Sequence, residues 1–194
     1  MTLEVGKKAP DFTLSATGSK TMTLSKLKGQ PVVLYFYPKD DTPGCTAQAC
    51  GFRDTMGELQ NMGAAVLGLS KDSVASHEKF VKKYELNFPL LSDTDGKVCE
   101  AYGTWVEKSM YGKKYMGIDR ATFLIDKDGK IAHVWRKVSV PGHIAAVAQA
   151  IHDLTKKGAV QAPVLPKNSL KSATKAPITP AVKTKKAKAQ NQLA

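Results

Sequence analysis

Pro31 to Tyr37 reads P-V-V-L-Y-F-Y, an almost unbroken run of β-branched and aromatic residues. A strand with one wet face would alternate apolar and polar residues, so this run predicts a strand buried on both faces. Ala64–Ser70 (A-A-V-L-G-L-S) is a second buried strand of the same kind. Between them a helix is expected from near Thr42 to about Asn61. Val74, His77, Phe80, Val81 and Tyr84 then recur at helical spacing. Phe88–Leu91 (F-P-L-L) is a short apolar segment, followed by D-T-D-G and a brief helical piece through Cys99. Ala121–Ile125 and Ile131–Val138 are strands joined by D-K-D-G, a hairpin signal. Ile144, Val147, Ala148, Ile151 and Leu154 line one face of an amphipathic closing helix. Upstream, Phe12 to Leu24 alternates around T-G-S-K and predicts a small hairpin. The order strand–helix–strand–helix, then an antiparallel hairpin and a helix, predicts an α/β fold with a mixed central sheet flanked by helices. A thioredoxin-like architecture fits this order, although periodicity alone does not select it.

Composition narrows the function. A chain of 194 residues accommodates one domain with an appendage. With 42% hydrophobic residues, it cannot be disordered throughout. Three cysteines are too few and too unevenly spaced for a disulfide-stapled secreted scaffold. The longest apolar run, Val32–Tyr37, is six residues, far below the ~20 of a spanning helix. The start M-T-L-E-V-G-K-K-A-P-D-F has no apolar stretch of the signal-peptide kind. The expectation is a soluble cytoplasmic protein whose cysteines are candidates for chemistry.

The net charge of +12 would suggest an anionic partner, but it is unevenly spread. Seven lysines and no acidic residue follow Gly158, and +12 less seven leaves +5 for the first 158 residues. The last stretch also lacks aromatics and is rich in Ala, Pro, Thr and Lys. It is expected to be a disordered basic C-terminal tail over 159–194, appended to a domain of 1–158. The tail is read either as a solubilising extension or as a non-specific contact for polyanions through counterion release.

The chemistry concentrates in Pro38–Cys50, P-K-D-D-T-P-G-C-T-A-Q-A-C, directly after the first buried strand. Thr42 suits the N-cap, Pro43 the first helical position, and Gly44 a close approach to the backbone. Cys45 then falls in the first turn, where free backbone N–H groups and the helix dipole favour a thiolate. Asp40 and Asp41 oppose that charge, so a cation from elsewhere in the chain is required. Thr42 also reads simply as a cap, and Cys45 as a small buried filler. Cys50 lies five residues on, ~8.6 Å away between Cα atoms in an ideal helix, beyond the ~7 Å limit for a disulfide. If the two cysteines pair, the helix must unwind locally; otherwise Cys50 faces the core. Cys45, Cys50, Cys99 and the four histidines never adopt paired-ligand spacing, which disfavours a metal site; no cofactor is expected.

T-P-G-C-T-A-Q-A-C resembles the active-site segment of peroxiredoxins, specifically the bacterioferritin comigratory protein (peroxiredoxin Q) subgroup. Its pattern of Pro, and of Thr three residues before the reactive Cys, is met by Pro38, Thr42 and Cys45. Ser76–Tyr84 (S-H-E-K-F-V-K-K-Y), Asn87–Asp93 (N-F-P-L-L-S-D) and Arg120–Asp126 (R-A-T-F-L-I-D) are also similar to the subgroup. The resemblance covers roughly residues 4–158 and implies a thioredoxin-like fold. It implies a thiol-dependent peroxidase acting on hydrogen peroxide and organic hydroperoxides, recycled by thioredoxin, with glutaredoxin or glutathione as other candidate reductants. Carried over by position, Cys45 would be the peroxidatic thiolate and Thr42 the hydroxyl that orients peroxide. Arg120 would be the guanidinium over the thiolate; spacing alone does not exclude a surface arginine before a strand. Cys50 would be the resolving cysteine in a Cys45–Cys50 disulfide, and Pro38 would shield the pocket from water. The subgroup leans towards a monomer. Cys99 lies outside these motifs and is expected to be a partly buried structural thiol, or else a secondary redox partner. Two other readings compete. A general thiol–disulfide oxidoreductase would show C-x-x-C at the helix start, where this chain has C-x-x-x-x-C. A polyanion-binding protein would use its fold as a platform for the tail.

Overall fold

The structure, a computed structural model, describes residues 3–110 and 112–157. The expected tail, 159–194, lies outside them. β1 (Thr13–Ala16) and β2 (Lys20–Thr23) form the expected N-terminal hairpin, and a 3-10 turn (Leu24–Leu27) leads to β3 (Val32–Phe36). α1 (Pro43–Asn61), β4 (Ala65–Ser70), α2 (Val74–Tyr84), β5 (Leu90–Ser92) and the short α3 (Lys97–Ala101) follow. β6 (Trp105–Met110) and β7 (Lys113–Ile118) make a separate two-stranded hairpin. β8 (Ala121–Ile125), β9 (Ile131–Trp135) and α4 (His143–Lys157) complete the described chain.

The main sheet has the order β2-β1-β5-β4-β3-β8-β9. β3 pairs in parallel with β4, β4 with β5, and β8 runs antiparallel to β3, so the sheet is mixed as expected. Every residue of β3 and β8 is buried. Period-two alternation divides β3 between two cores. Val32, Leu34 and Phe36 join Phe12, Leu67, Cys99, Tyr102 and Phe123 on one face. Val33, Tyr35 and Tyr37 join Cys45, Phe52, Phe80, Val147 and Ile151 on the other. α1, α2 and α4 therefore cover the second face, and the α3 region with the N-terminal segment covers the first.

Two features depart from expectation. The β6–β7 hairpin was not foreseen, because W-V-E-K-S-M and K-K-Y-M-G-I carry charges on an exposed ribbon rather than a clean alternation. β9 ends at Trp135 instead of Val138, since Lys137 takes a positive φ of 49° and Val138 turns its N–H to the Arg120 carbonyl at 3.0 Å. The D-K-D-G turn behaves as read: Asp126 Oδ1 accepts from the N–H groups of Asp128 and Lys130 at 2.9 and 2.8 Å.

Gly68 lies in β4 between Tyr35 and Leu90, its partners in register. A Cβ there would come within 2.7 Å of the Tyr35 hydroxyl and 2.6 Å of Leu90 Cδ2. The Tyr35 ring cannot retreat, being stacked on Phe52 at 4.8 Å and Tyr37 at 5.5 Å between centroids. Gly68→Ala is expected to destabilise the fold by about 1–3 kcal/mol through overpacking, read as a lower urea midpoint at unchanged slope.

Candidate active site

Helix α1 begins where β3 ends, beyond the carboxyl edge of the sheet. Thr42 occupies the N-cap with extended backbone and Pro43 takes the first helical position. The Thr42 hydroxyl, however, does not cap the helix. It donates to the Lys39 carbonyl at 3.1 Å, turning back into the loop. The first helical bond runs from the Thr46 N–H to the Thr42 carbonyl at 2.8 Å, which leaves the Gly44 and Cys45 N–H groups outside the helical ladder.

Cys45 is 2% exposed and lies on the inward stripe of α1 with Gln48, Ala49, Phe52, Met56 and Leu59. Arg120 reaches it from the residue before β8: Nη2 donates to Cys45 Sγ at 3.3 Å, and Nη1 to Gln48 Oε1 at 2.6 Å. The guanidinium also explains Gly44, because a Cβ there would stand 3.2 Å from Nη2. The close approach that a glycine allows is made by Arg120 of the same chain. Both hydrogen bonds converge on one planar cation, which is geometry a lysine cannot copy.

The two acids beside the loop are already engaged. Asp41, in the left-handed region at φ 55°, accepts from Lys83 Nζ at 2.7 and 2.9 Å and from the Tyr84 hydroxyl. Asp40 is 7% exposed and accepts from Tyr37, Ser76 and His77. Neither carboxylate is free to oppose a charge on Cys45.

Cys50 is half-buried and off the inward stripe, so it is not a core residue; all three cysteines are free thiols. Cys99 is completely buried rather than partly, and packs in the core on the opposite face of the sheet from Cys45. Burial, then the Asp93 carboxylate beside it, pushes its thiol far up, which disfavours the thiolate form. Pro38 lies exposed at the end of β3. Among the described residues no group of ligating side chains is arranged for a metal, and no helix is long and apolar enough to cross a membrane.

Several site residues escaped the sequence reading. Gln48 figured there only as a spacer; among the described residues its Nε2 and the Tyr35 hydroxyl are the buried side-chain polar atoms without a partner. Its place on the same helical face as Cys45, three residues on, was the available signal. His143, at the start of α4, is buried and bonded through Nε2 to Thr122 Oγ1 at 2.8 Å. No spacing rule could have joined that pair to Arg120.

A buried thiol at a helix start, held by a guanidinium on a mixed α/β sheet, defines a thiol enzyme of the thioredoxin-like class. Residues 5–134 match the AhpC/TSA family. The chain belongs to that family and is a peroxiredoxin, a thiol-dependent peroxidase. A Coxiella burnetii relative provisionally named peroxiredoxin bcp is 58% identical over 147 residues, covering 76% of this chain and 97% of its own. Peroxiredoxin Bcp of Bacillus subtilis is 48% identical over 157 residues, 81% of this chain and all of its own length (100%). Among solved structures, the bacterioferritin comigratory protein of Xanthomonas campestris, studied for alkyl peroxide reduction, superposes with a TM-score of 0.73 at 42% identity, covering 77% of this chain and 98% of that one. These relatives lend support to neither the disulfide oxidoreductase nor the polyanion-binding reading.

His143 gives the site a pH signature. Burial, and then the positive charge of Arg120, lowers it from 6.5 to about 4. The unfolded chain takes up this proton near pH 6.5 and the folded one only near 4, so His143 costs no stability above pH 6.5 and an increasing amount as the pH falls to 4. The urea midpoint is expected to drop across that window, and His143→Gln to flatten the slope. An equal slope in the variant would assign the acid loss to other groups.

Proposed function

We propose that Cys45 is the peroxidatic nucleophile of this peroxidase, that Arg120 and Thr42 stabilise its transition state, and that Cys50 resolves the product. The observation that carries the reading is the guanidinium of Arg120 on the sulfur of Cys45 at 3.3 Å. In the first step the Cys45 thiolate attacks one peroxide oxygen. An S–O bond forms as the O–O bond breaks, the sulfur is oxidised to a sulfenic acid, and the departing oxygen takes a proton to leave as water or an alcohol.

Thiolate formation alone does not account for a fast reaction. An ordinary thiol of pKa ~8.5 is already ~3% ionised at pH 7, so complete ionisation gains only ~30-fold, or ~2 kcal/mol. The rest must come from groups that bind the oxygens more tightly as charge moves onto the leaving one. The Arg120 guanidinium beside the sulfur is one such donor. The Thr42 hydroxyl is the other; since it does not cap α1, it can turn from the Lys39 carbonyl to a substrate oxygen. Pro38 covers the approach in this reading.

In the second step the Cys50 sulfur attacks the sulfenic sulfur, expels water and closes a Cys45–Cys50 disulfide. Five residues of intact helix hold their Cα atoms ~8.6 Å apart, so the first turns of α1 must unwind before the bond can close. An external dithiol then restores both thiols by exchange. Thioredoxin is the reductant of this proposal, acting in the cytoplasm on a monomer of domain 1–158. Contact of the basic extension 159–194 with polyanions belongs to the same reading and modifies the activity without supplying it.

Arg120→Ala and Thr42→Val are each expected to slow peroxide reduction about 100-fold, the scale of losing a transition-state donor. The loss should exceed any measured change in the fraction of Cys45 thiolate. A loss that merely tracked ionisation would remove the transition-state role. Treating the reduced chain with one equivalent of hydrogen peroxide, alkylating and mapping the peptides should give a Cys45–Cys50 disulfide with Cys99 alkylated. Oxidation confined to Cys45 would strike out Cys50 as resolver, and three reduced cysteines would strike out the whole mechanism.

A further inference from the structure

His77 lies in α2 with its ring wholly inaccessible to solvent. Nε2 is 3.1 Å from the Leu91 carbonyl oxygen of β5. Nδ1 is 2.9 Å from Asp40 Oδ2 and 3.1 Å from Oδ1. Tyr37 Oη donates its hydrogen to Asp40 Oδ1 at 2.7 Å, so at 3.3 Å from Nδ1 it too presents a lone pair. Every atom facing the ring nitrogens is therefore an acceptor. A carbonyl cannot donate, and a carboxylate already receiving Tyr37 and Ser76 hydroxyls, each at 2.7 Å, is arranged to stay ionised. Burial pushes the Asp40 carboxyl up, but the hydrogen bonds from His77, Tyr37 and Ser76 outweigh it and hold it below the usual carboxylate range. A ring that must donate from both nitrogens is an imidazolium.

The position of this pair gives it consequence. Asp40 stands five residues before Cys45, and its own N–H is fixed by Asp72 Oδ2 at 2.9 Å, which also accepts from Ser70 Oγ at 2.8 Å. Asp40 is bonded to Tyr37, whose ring stacks on Tyr35 at 5.5 Å in the same core as Cys45, so the carboxylate stands at the Cys45 end of that core. An Asp40 without its counterion would bear on the thiolate across a weakly screened interior.

We propose that His77, donating from both ring nitrogens, is an imidazolium that cancels Asp40, and so is a positioning residue for the peroxide reaction: it ties the Thr42 loop to α2 and keeps a buried anion from opposing the Cys45 thiolate. This rests on the reading of Cys45 as the peroxidatic cysteine. The charged groups around the ring are Asp40 on the loop and, one hydrogen bond further, Asp72 after β4; Tyr37, just beyond β3, Ser76 in α2 and Leu91 in β5 supply neutral partners.

Nitrogen-15 NMR of the full reduced chain, with the His77 ring signals assigned by through-bond correlation to its own backbone, tests the charge directly. Both ring nitrogens should appear protonated at pH 7, and a singly protonated ring overturns the proposal whether or not the variant folds. His77→Asn keeps an N–H donor towards Asp40 but removes the charge. It should lower both the iodoacetamide reactivity of Cys45 and the peroxide rate constant at pH 7 roughly tenfold. Adding Asp40→Asn should recover most of the iodoacetamide reactivity, because the opposing anion is gone. Wild-type reactivity in the single variant, or no recovery in the double, overturns the electrostatic role. Cys45→Ser separates the two readings: retained peroxidase activity in it defeats the assignment of Cys45 and the positioning role with it, while the NMR result still stands on its own.

Discussion

The pairing of β3 with β8 is the constraint on which the site depends. Phe36 lies opposite Ala121, and the chain enters β8 through Arg120. That register delivers a guanidinium to a thiol 75 residues away in sequence. A slip of one residue would exchange the two faces of β8 and take Arg120 away from α1. Such a slip is costly because both faces of β3 and β8 are buried, with Phe36 and Phe123 on one side and Tyr35 and Leu124 on the other. The double burial of the strands thus secures the position of one cation.

Around that cation the fold manages charge economically. Cys45 sits at the end of α1 where unpaired N–H groups favour an anion, and Arg120 closes over it. Asp40 and Asp41, the two acids of the loop, each find partners on α2. His143, close to Arg120, is held neutral and adds no second positive charge there. α2 thereby anchors the upstream side of the loop through Ser76, His77, Lys83 and Tyr84. Further along α1, Arg53 donates to the Tyr84 carbonyl at 2.7 Å and its own carbonyl accepts from Asn87. The stretch between these two anchors, which carries Cys45 and Cys50, is the part of α1 that the proposed disulfide requires to unwind.

The third cysteine shows how the sheet separates chemistry from packing. Cys99 and Cys45 are both almost wholly buried, yet they lie in cores on opposite faces. One has a guanidinium over its sulfur; the other has a carboxylate, which disfavours ionisation. Equal burial thus leaves the two thiols in opposite electrostatic surroundings.

Much of this was legible in the chain itself. The apolar runs at Val32–Phe36 and Ala65–Ser70, the Thr-Pro-Gly opening of α1 and the D-K-D-G hairpin are local signals, each complete within a few residues, and all appear where the pattern puts them. So does the placement of Cys45 in a first helical turn, and with it the need for a cation. Which cation, and what becomes of Asp40 and Asp41, was decided only by the tertiary structure. Those answers come from strand register and helix packing across 32 to 75 residues, as in the Asp40–Asp72 and Arg120–Cys45 contacts. The same holds for the β6–β7 ribbon, whose exposed lysines hide its alternation, and for the sheet that divides Cys99 from Cys45. Sequence patterns report which surfaces a segment must bury, because burial follows from its own side chains. They do not report which distant groups meet there, because that depends on how the buried surfaces are registered against one another.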